Sequence, residues 1–295
     1  MIREATRADA GQMAAVFAAV VPHLVRTAAW FRHDLDHPPA GGVTRRFVAE
    51  EDGGVVAAAG LSIPAETPDR ARCWLAVHPD HRGSGIGSAL LDRVVTLARD
   101  AGAEQLSAIA DSEGRNVAFA EQHGFRLVRQ HTASAVDPAT APAPGPAPAG
   151  MALVTCAELA DESVRRLLNA TAGDDPSGLS EAMSPTDFAH WWRGPDHRPD
   201  LGAAVVDGGR PVSFSSVQVD LDRGLAFTAM TATDPAQRGR GLARLVKTAS
   251  LRALAAAGVR SASTNNDDAN EPMLAINCSL GYIPVVANWS VRLAL

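Results

Sequence analysis

Three cysteines in 295 residues, Cys73, Cys156 and Cys278, are too few and too scattered for a disulfide framework. No C-x-x-C or metal-ligand spacing joins them, and such usage fits buried thiols in a reducing cytoplasm, the expected location. Aromatic residues make up only 5% of the chain, and Tyr282 is its single tyrosine. Basic residues do not dominate either: 27 Lys and Arg stand against 33 Asp and Glu, a formal net charge of −6. That balance argues against nucleic acid or an anionic membrane as the main partner. The longest apolar stretch, "MAAVFAAVVPHLV", is interrupted by Pro22 and His23 and is too short to cross a bilayer. The charged start "MIREATRADAG" lacks the apolar core of a signal peptide.

What the chain does have is glycine in telling places. "HRGSGIGSAL" follows the apolar "CWLAVHP" and precedes "SALLDRVVTLARDAG". The first flank is short, apolar and ends at Pro79, as a strand would. The second carries Leu90, Leu91, Val94, Val95 and Ala98 at helical spacing and stops at Gly102. A dinucleotide fingerprint would need its third glycine at Ser88, and a P-loop would need a lysine that is absent. What remains is Arg82-x-x-Gly85-x-Gly87. A Gly-rich loop entering a helix N-terminus aims free N–H groups at one point and lets a phosphate approach the chain. An ordinary Gly-rich turn would look the same.

Repetition decides between the two. "DPAQRGRGLA" gives Arg238-x-x-Gly241-x-Ala243, and Arg238 lies 156 residues after Arg82. Pro79 and Pro235 share that offset, as do Gly102 and Gly258. "HGF" at Gly124 meets "LGY" at Gly281 after one inserted residue, and "FRLVRQHTASAVD" parallels "YIPVVANWSVRLA". The chain is an internal duplication. Residues 1–136 form one expected domain and 151–295 the other; 137–150, "DPATAPAPGPAPAG", reads as an extended Pro/Ala linker. Each half reads as a short strand, two helical stretches, a strand pair turning at "DGG", then strand, loop, helix, strand, helix and a closing hairpin. The expected fold class is α/β: two tandem domains, each a mixed, mostly antiparallel sheet flanked by helices.

The strand–[Q/R]-x-x-G-x-[G/A]–helix motif in both halves, with "NEPMLAINCSLGY" from Asn270 to Gly281, resembles the GNAT superfamily of acetyl-CoA-dependent N-acetyltransferases. The tandem layout is similar to its two-domain, mycothiol-synthase-like group. The resemblance implies that the diphosphate of acetyl-CoA rests on Arg82, Gly83, Ser84, Gly85, Ile86, Gly87 and Ser88. In the second half, Arg238, Gly239, Arg240, Gly241, Leu242, Ala243 and Arg244 take that place. The pantetheine would lie along Leu75, Ala76 and Val77, and along Thr231, Ala232 and Thr233. A backbone N–H near Val77 or Thr233 would polarise the thioester. Asn270 holds a position whose amide reaches the carrier arm, or else it caps its helix.

The family often uses a tyrosine acid four residues before the helix-ending glycine, where this chain has Ala120 and Asn277. A thiol titrates near ~8.5, so thiolate can leave with help from water or Asn277. Base candidates are Asp220 and Asp222, acting through water in the turn before the central strand, with Glu271 and "NNDDAN" beside the path; each also reads as a solvated acid. Thr228 and Thr231 line the path or simply follow strand alternation. His78, His81 and His123 flank the first loop, Glu113 replaces Asn270 there, and all three histidines read best as surface groups. "HDLDH" puts His33 and His37 on one helical face, but Pro38 and Pro39 follow and no third ligand is spaced to help, so no metal is expected. Trp191 and Trp192 wall the acceptor side or face the core.

The expected activity is direct acetyl transfer to a primary amine of a small polar molecule, more in the second half than the first, by a monomer or homodimer. A non-catalytic or regulatory acyl-CoA-binding protein and a protein or peptide acetyltransferase are the alternatives.

Overall fold

The computed structural model describes residues 1–39, 41–111, 115–174 and 182–295. It divides into two compact units, Met1–Gln130 with Val286–Leu295, and His131–Val285. In the first unit the chain runs β1 (Ile2–Glu4), α1 (Ala10–Val20), α2 (Ala28–Asp36), β2 (Val43–Glu51), β3 (Gly54–Ile63), β4 (Arg70–Val77), α3 (Ile86–Asp100), β5 (Gln105–Asp111) and α4 (Arg115–Gln122), and then enters β6 (Arg126–Val136). In the second it runs β7 (Met151–Thr155), α5 (Asp161–Thr171), α6 (Pro185–Trp192), β8 (Ala203–Asp207), β9 (Arg210–Asp220), β10 (Leu225–Thr233), α7 (Leu242–Ala256), β11 (Ser261–Asp267) and α8 (Glu271–Ser279), and then β12 (Ile283–Ala294).

Sheet order in the first unit is β1-β2-β3-β4-β5-β12, and in the second β6-β11-β10-β9-β8-β7. Only β4–β5 and β10–β11 are parallel among the described pairs; the others are antiparallel. The "DGG" turns fold as expected. Asp52 and Gly53 both have positive φ, as do Gly208 and Gly209, the geometry of a two-residue hairpin whose twist suits the flanking strands.

The chain ends differ from the reading of the sequence. No terminal hairpin closes either half. β6 and β12 are single long strands, and each pairs in the unit of the other half: Asn288–Ala294 lies antiparallel to Gln105–Asp111, and His131–Val136 antiparallel to Ala262–Asp267. The Pro/Ala segment is also more than a spacer. Pro138–Thr140 forms a short 3-10 turn, and Ala141 is buried against Leu251 and Leu254 of α7.

Each sheet is covered on both faces, giving three layers. In the first unit, Leu90, Leu91, Val94 and Ala98 of α3 pack on one face, while Met13, Val16 and Phe31 of α1 and α2 pack on the other. α2 is tied to β2 by a buried bidentate pair, with Arg46 donating from Nε to Asp34 at 2.6 Å and from Nη2 at 2.9 Å. In the second unit, Val246, Leu251 and Leu254 of α7 share their face with Ile276 and Leu280 around α8. Leu167, Leu168, Phe188 and Trp192 of α5 and α6 cover the opposite face. Among the described residues, no helix is long and apolar enough to cross a membrane.

Candidate active site

Both Gly-rich loops form the same cradle. Gly85 and Gly241 are the N-caps of α3 and α7, at φ +85° and +75°, and Gly83 and Gly239 are left-handed as well. A Cβ added at any of these four would meet no atom within 4 Å, so conformation rather than crowding demands glycine, and the space before them is open. Among the described residues, none accepts a hydrogen bond from the main-chain N–H groups of residues 83–88 or 239–244. Six amides at the start of a fifteen-residue helix therefore face outward on each unit, which suits a diphosphate. Gly87 is a different case. A methyl there would touch Phe119 and Val77 at ordinary contact distances, consistent with Ala243 at the matching place.

Beside each cradle the sheet opens. β4 and β5 pair only over Arg70–Arg72 and Gln105–Ser107, and β10 and β11 only over Leu225–Phe227 and Ser261–Ser263; beyond that the partners diverge. Asp234 N–H donates to Val212 O at 2.9 Å on the β9 side. By antiparallel alternation, the main-chain groups of Thr233 and Thr231 point the other way, into the gap. The same holds for Val77 and Leu75, because His78 N–H donates to Val56 O at 2.9 Å. Ala76 and Ala232 turn their main chains toward the neighbouring strand.

The two gaps are not equivalent. In β10 the register slips between Thr228 and Met230, so Ala229 is the extra residue of a bulge that re-aims the strand at the middle of the gap. β4 keeps an unbroken register with β3. In the first unit Arg82 donates from Nε to Val77 O at 3.2 Å, covering a group that faces its gap. Arg238 instead pairs with Asp174 at 2.5 Å and leaves Thr233 open. Arg240 bonds Gln237, and Arg244 is exposed.

Around the second gap, several buried polar atoms lack partners among the described residues. Asn277 donates from Nδ2 to Asn266 Oδ1 at 2.7 Å, while its own Oδ1 receives nothing. Ser216 Oγ and Asn265 Oδ1 are likewise unpartnered. On the α7 face, Thr231 and Thr233 hydroxyls pair with Ser215 and Ser213 at 3.2 and 2.9 Å. Thr228 is buried near the Tyr282 hydroxyl without reaching hydrogen-bond geometry, and burial pushes that phenol up to about 12. The position matching Asn277 in the first unit is the buried Ala120.

Asp220 and Asp222 are not brought to the gap. They sit in the β9–β10 turn at the paired end of β10, where Asp220 accepts from Arg223 N–H at 3.1 Å and Asp222 is exposed. Asn270 is the N-cap of α8, accepting from Met273 N–H at 3.3 Å, and Glu271 is exposed beside it. His123 is not a solvated surface group: its Nδ1 bonds Phe119 O at 2.8 Å and its Nε2 lies 3.1 Å from Ser88 Oγ. His81 meets Glu51 at 2.7 Å, and His78 stays at the loop entrance. Glu113 lies outside the described residues. The His33 and His37 rings stack at 4.9 Å, and among the described residues no three metal-binding side chains gather.

Two residues escaped sequence reasoning. The His197 ring lies 4.3 Å from that of Trp192, tilted against it in the α5/α6 core, and its Nδ1 bonds Trp192 O at 2.6 Å. Burial holds the imidazole down at about 4, so it is neutral with an unpartnered Nε2. Lys247 of α7 is 2% exposed and lies over the Tyr282 ring. The repeat offset could have found it, for its counterpart is Leu91.

Comparison with known proteins agrees with this geometry. Residues 44–127 match the family model of the acetyltransferase (GNAT) domain. The chain is 28% identical over 248 residues to a mycothiol acetyltransferase of Nocardioides sp., covering 73% of this chain and 82% of that protein. A tandem GNAT protein from the clavulanic acid biosynthesis pathway superposes with a TM-score of 0.77 at 24% identity, over 100% of this chain and 98% of the other. A GCN5-related N-acetyltransferase from Sphaerobacter thermophilus gives 0.71 at 20% identity, over 100% and 95%.

Proposed function

We propose that this chain is a tandem acetyl-CoA-dependent acyltransferase of the GNAT type, and that its second unit moves an acetyl group directly onto a primary amine of a small polar molecule. The observation that carries this reading is the bulged, open gap beside the second cradle, with buried polar atoms around it that lack partners among the described residues. The amides of 239–244 would hold the diphosphate and draw the arm into the gap. Main-chain groups of Thr231 and Thr233 would bond the arm, and an N–H among them would face the thioester oxygen. A donor of that kind contributes about 3–4 kcal/mol to the transition state. Acetyl-CoA supplies the acyl group and a thiolate that must be protonated on leaving.

The acceptor would approach from the α5/α6 face, past Trp191, Ser216 and His197. A neutral His197 Nε2 accepts a hydrogen bond there, which favours an ammonium or hydroxyl on the acceptor. The first unit reads differently: Arg82 covers Val77 O, β4 has no bulge and Ala120 offers no polar group. Those features favour carrier binding without transfer in that half.

Substitution in each cradle tests the assignment. Gly241→Trp fills the second cradle and should abolish release of free thiol from acetyl-CoA in an amine screen, whereas Gly85→Trp should lower it far less. The opposite ranking would move the chemistry to the first unit.

A further inference from the structure

Lys247 is the charged residue on the buried face of α7, where Thr248 and Ser250 are the other polar side chains. Its counterpart Leu91 packs in the first unit's core, as the spacing demands. Burying an ammonium in that place without a counter-ion is unfavourable and has no use in packing. Among the described residues, Lys247 Nζ has no hydrogen bond or ion pair; it lies over the Tyr282 ring, 5.0 Å from the centroid. A ring face offsets only part of the lost hydration.

Its location gives the charge a task. The second cradle is the N-terminus of α7, and α7 and α8 cover the same face of the sheet. A carrier held on amides 239–244 would enter the gap from that face and keep its sulfur there, with the acceptor coming from the α5/α6 face. Lys247, on α7, would then be on the sulfur side. Tyr282, under the ammonium, also lies near Thr228, the residue just before the bulge. Asn277, at the family's acid position, is an amide and has no proton to give.

Resting on the transferase reading above, we infer that Lys247 Nζ is the acid that protonates the departing thiolate. As the acceptor nitrogen bonds to the carbonyl carbon, the C–S bond breaks and its electron pair goes to sulfur. A Lys247 N–H bond then breaks, its proton forms S–H, and the amine is left neutral. The proton shed by the acceptor nitrogen passes to solvent, from which Lys247 is recharged. Burial brings the Lys247 ammonium down to about 7, below a thiol's ~8.5, so transfer to sulfur runs downhill. Tyr282 is the titratable group in contact with it among the described residues, and at about 12 it stays neutral throughout.

The test uses full-length protein and coenzyme A itself. The bound thiol is titrated by its thiolate ultraviolet absorbance in the wild type, in Lys247→Met and in Lys247→Leu, the last being the residue of the first half. Coenzyme A held in the first unit contributes equally to all three and cancels in the difference. With the lysine removed, the thiolate absorbance should rise roughly half a pH unit later, since only the fraction of Lys247 that is still charged above pH 7 favours thiolate. The affinity for coenzyme A should stay within about twofold, because the diphosphate amides are untouched. Superimposable titrations with binding intact would overturn the role of Lys247 and leave the transferase reading standing. Absence of any coenzyme A binding in the wild type would overturn that reading and this one together.

Discussion

Replacing Lys247 by methionine should stabilise the protein, and by an amount that depends on pH. In the unfolded chain the amine titrates near 10.5, whereas burial holds it at about 7 in the folded one. The unfolded state therefore binds the extra proton between those values, and stability rises with pH across that window. A difference of that size corresponds to a penalty of roughly 4 kcal/mol at pH 7, shrinking to about 2 kcal/mol at pH 9. Methionine fills a similar volume with no charge, although it forgoes the ring contact, which is worth about 1 kcal/mol. Lys247→Met should then exceed the wild type by about 2–3 kcal/mol at pH 7, and the margin should narrow by about 2 kcal/mol at pH 9. Urea unfolding at the two pH values, followed by the fluorescence of Trp191 and Trp192 in the same unit, measures both quantities. The buried thiols, which also titrate in alkaline solution, are common to the two proteins and drop out of the comparison. A margin that stays constant with pH would mean that Lys247 is not a desolvated amine, and would refute the reasoning.

Asp34→Ala leaves the Arg46 guanidinium buried without its carboxylate, and should cost the first unit about 3–5 kcal/mol in chemical denaturation. Native-state alkylation should label Cys278, which is exposed, well before Cys73 and Cys156, whose thiols burial pushes up to about 12. Intact mass after a short reaction should show one adduct, and full labelling only in denaturant.

How much of this was legible beforehand differs from element to element. The cradles were, because a positive-φ N-cap and a free helix start need glycine at fixed places, and Gly85 and Gly241 recur at one offset. The "DGG" hairpins and the helix ending at Gly102 were legible for the same local reason. Asp220 and Asp222 lie in the expected turn, but their distance from the gap depends on which end of β10 stays paired with β11. That is a property of the sheet, not of the turn. Lys247 reads locally as a solvated helix residue, and only its alignment with the core residue Leu91 at the repeat offset hints at burial, which the packing of α7 then shows.

By itself, then, the sequence determined what depends on near neighbours: the duplicated order of elements, the two amide cradles and the acidic, few-cysteine character of the chain. Tertiary structure alone decided which strand completes which sheet. β6 and β12 have similar alternating patterns and β5 and β11 offer similar edges, so local pattern cannot tell own from exchanged pairing; only the closed sheets place Val291 beside Ala108 and Ala133 beside Asn265. It also decided how the gaps differ, since a one-residue bulge at Ala229 and a buried amine at Lys247 acquire meaning only when strands and helices from distant parts of the chain close around them.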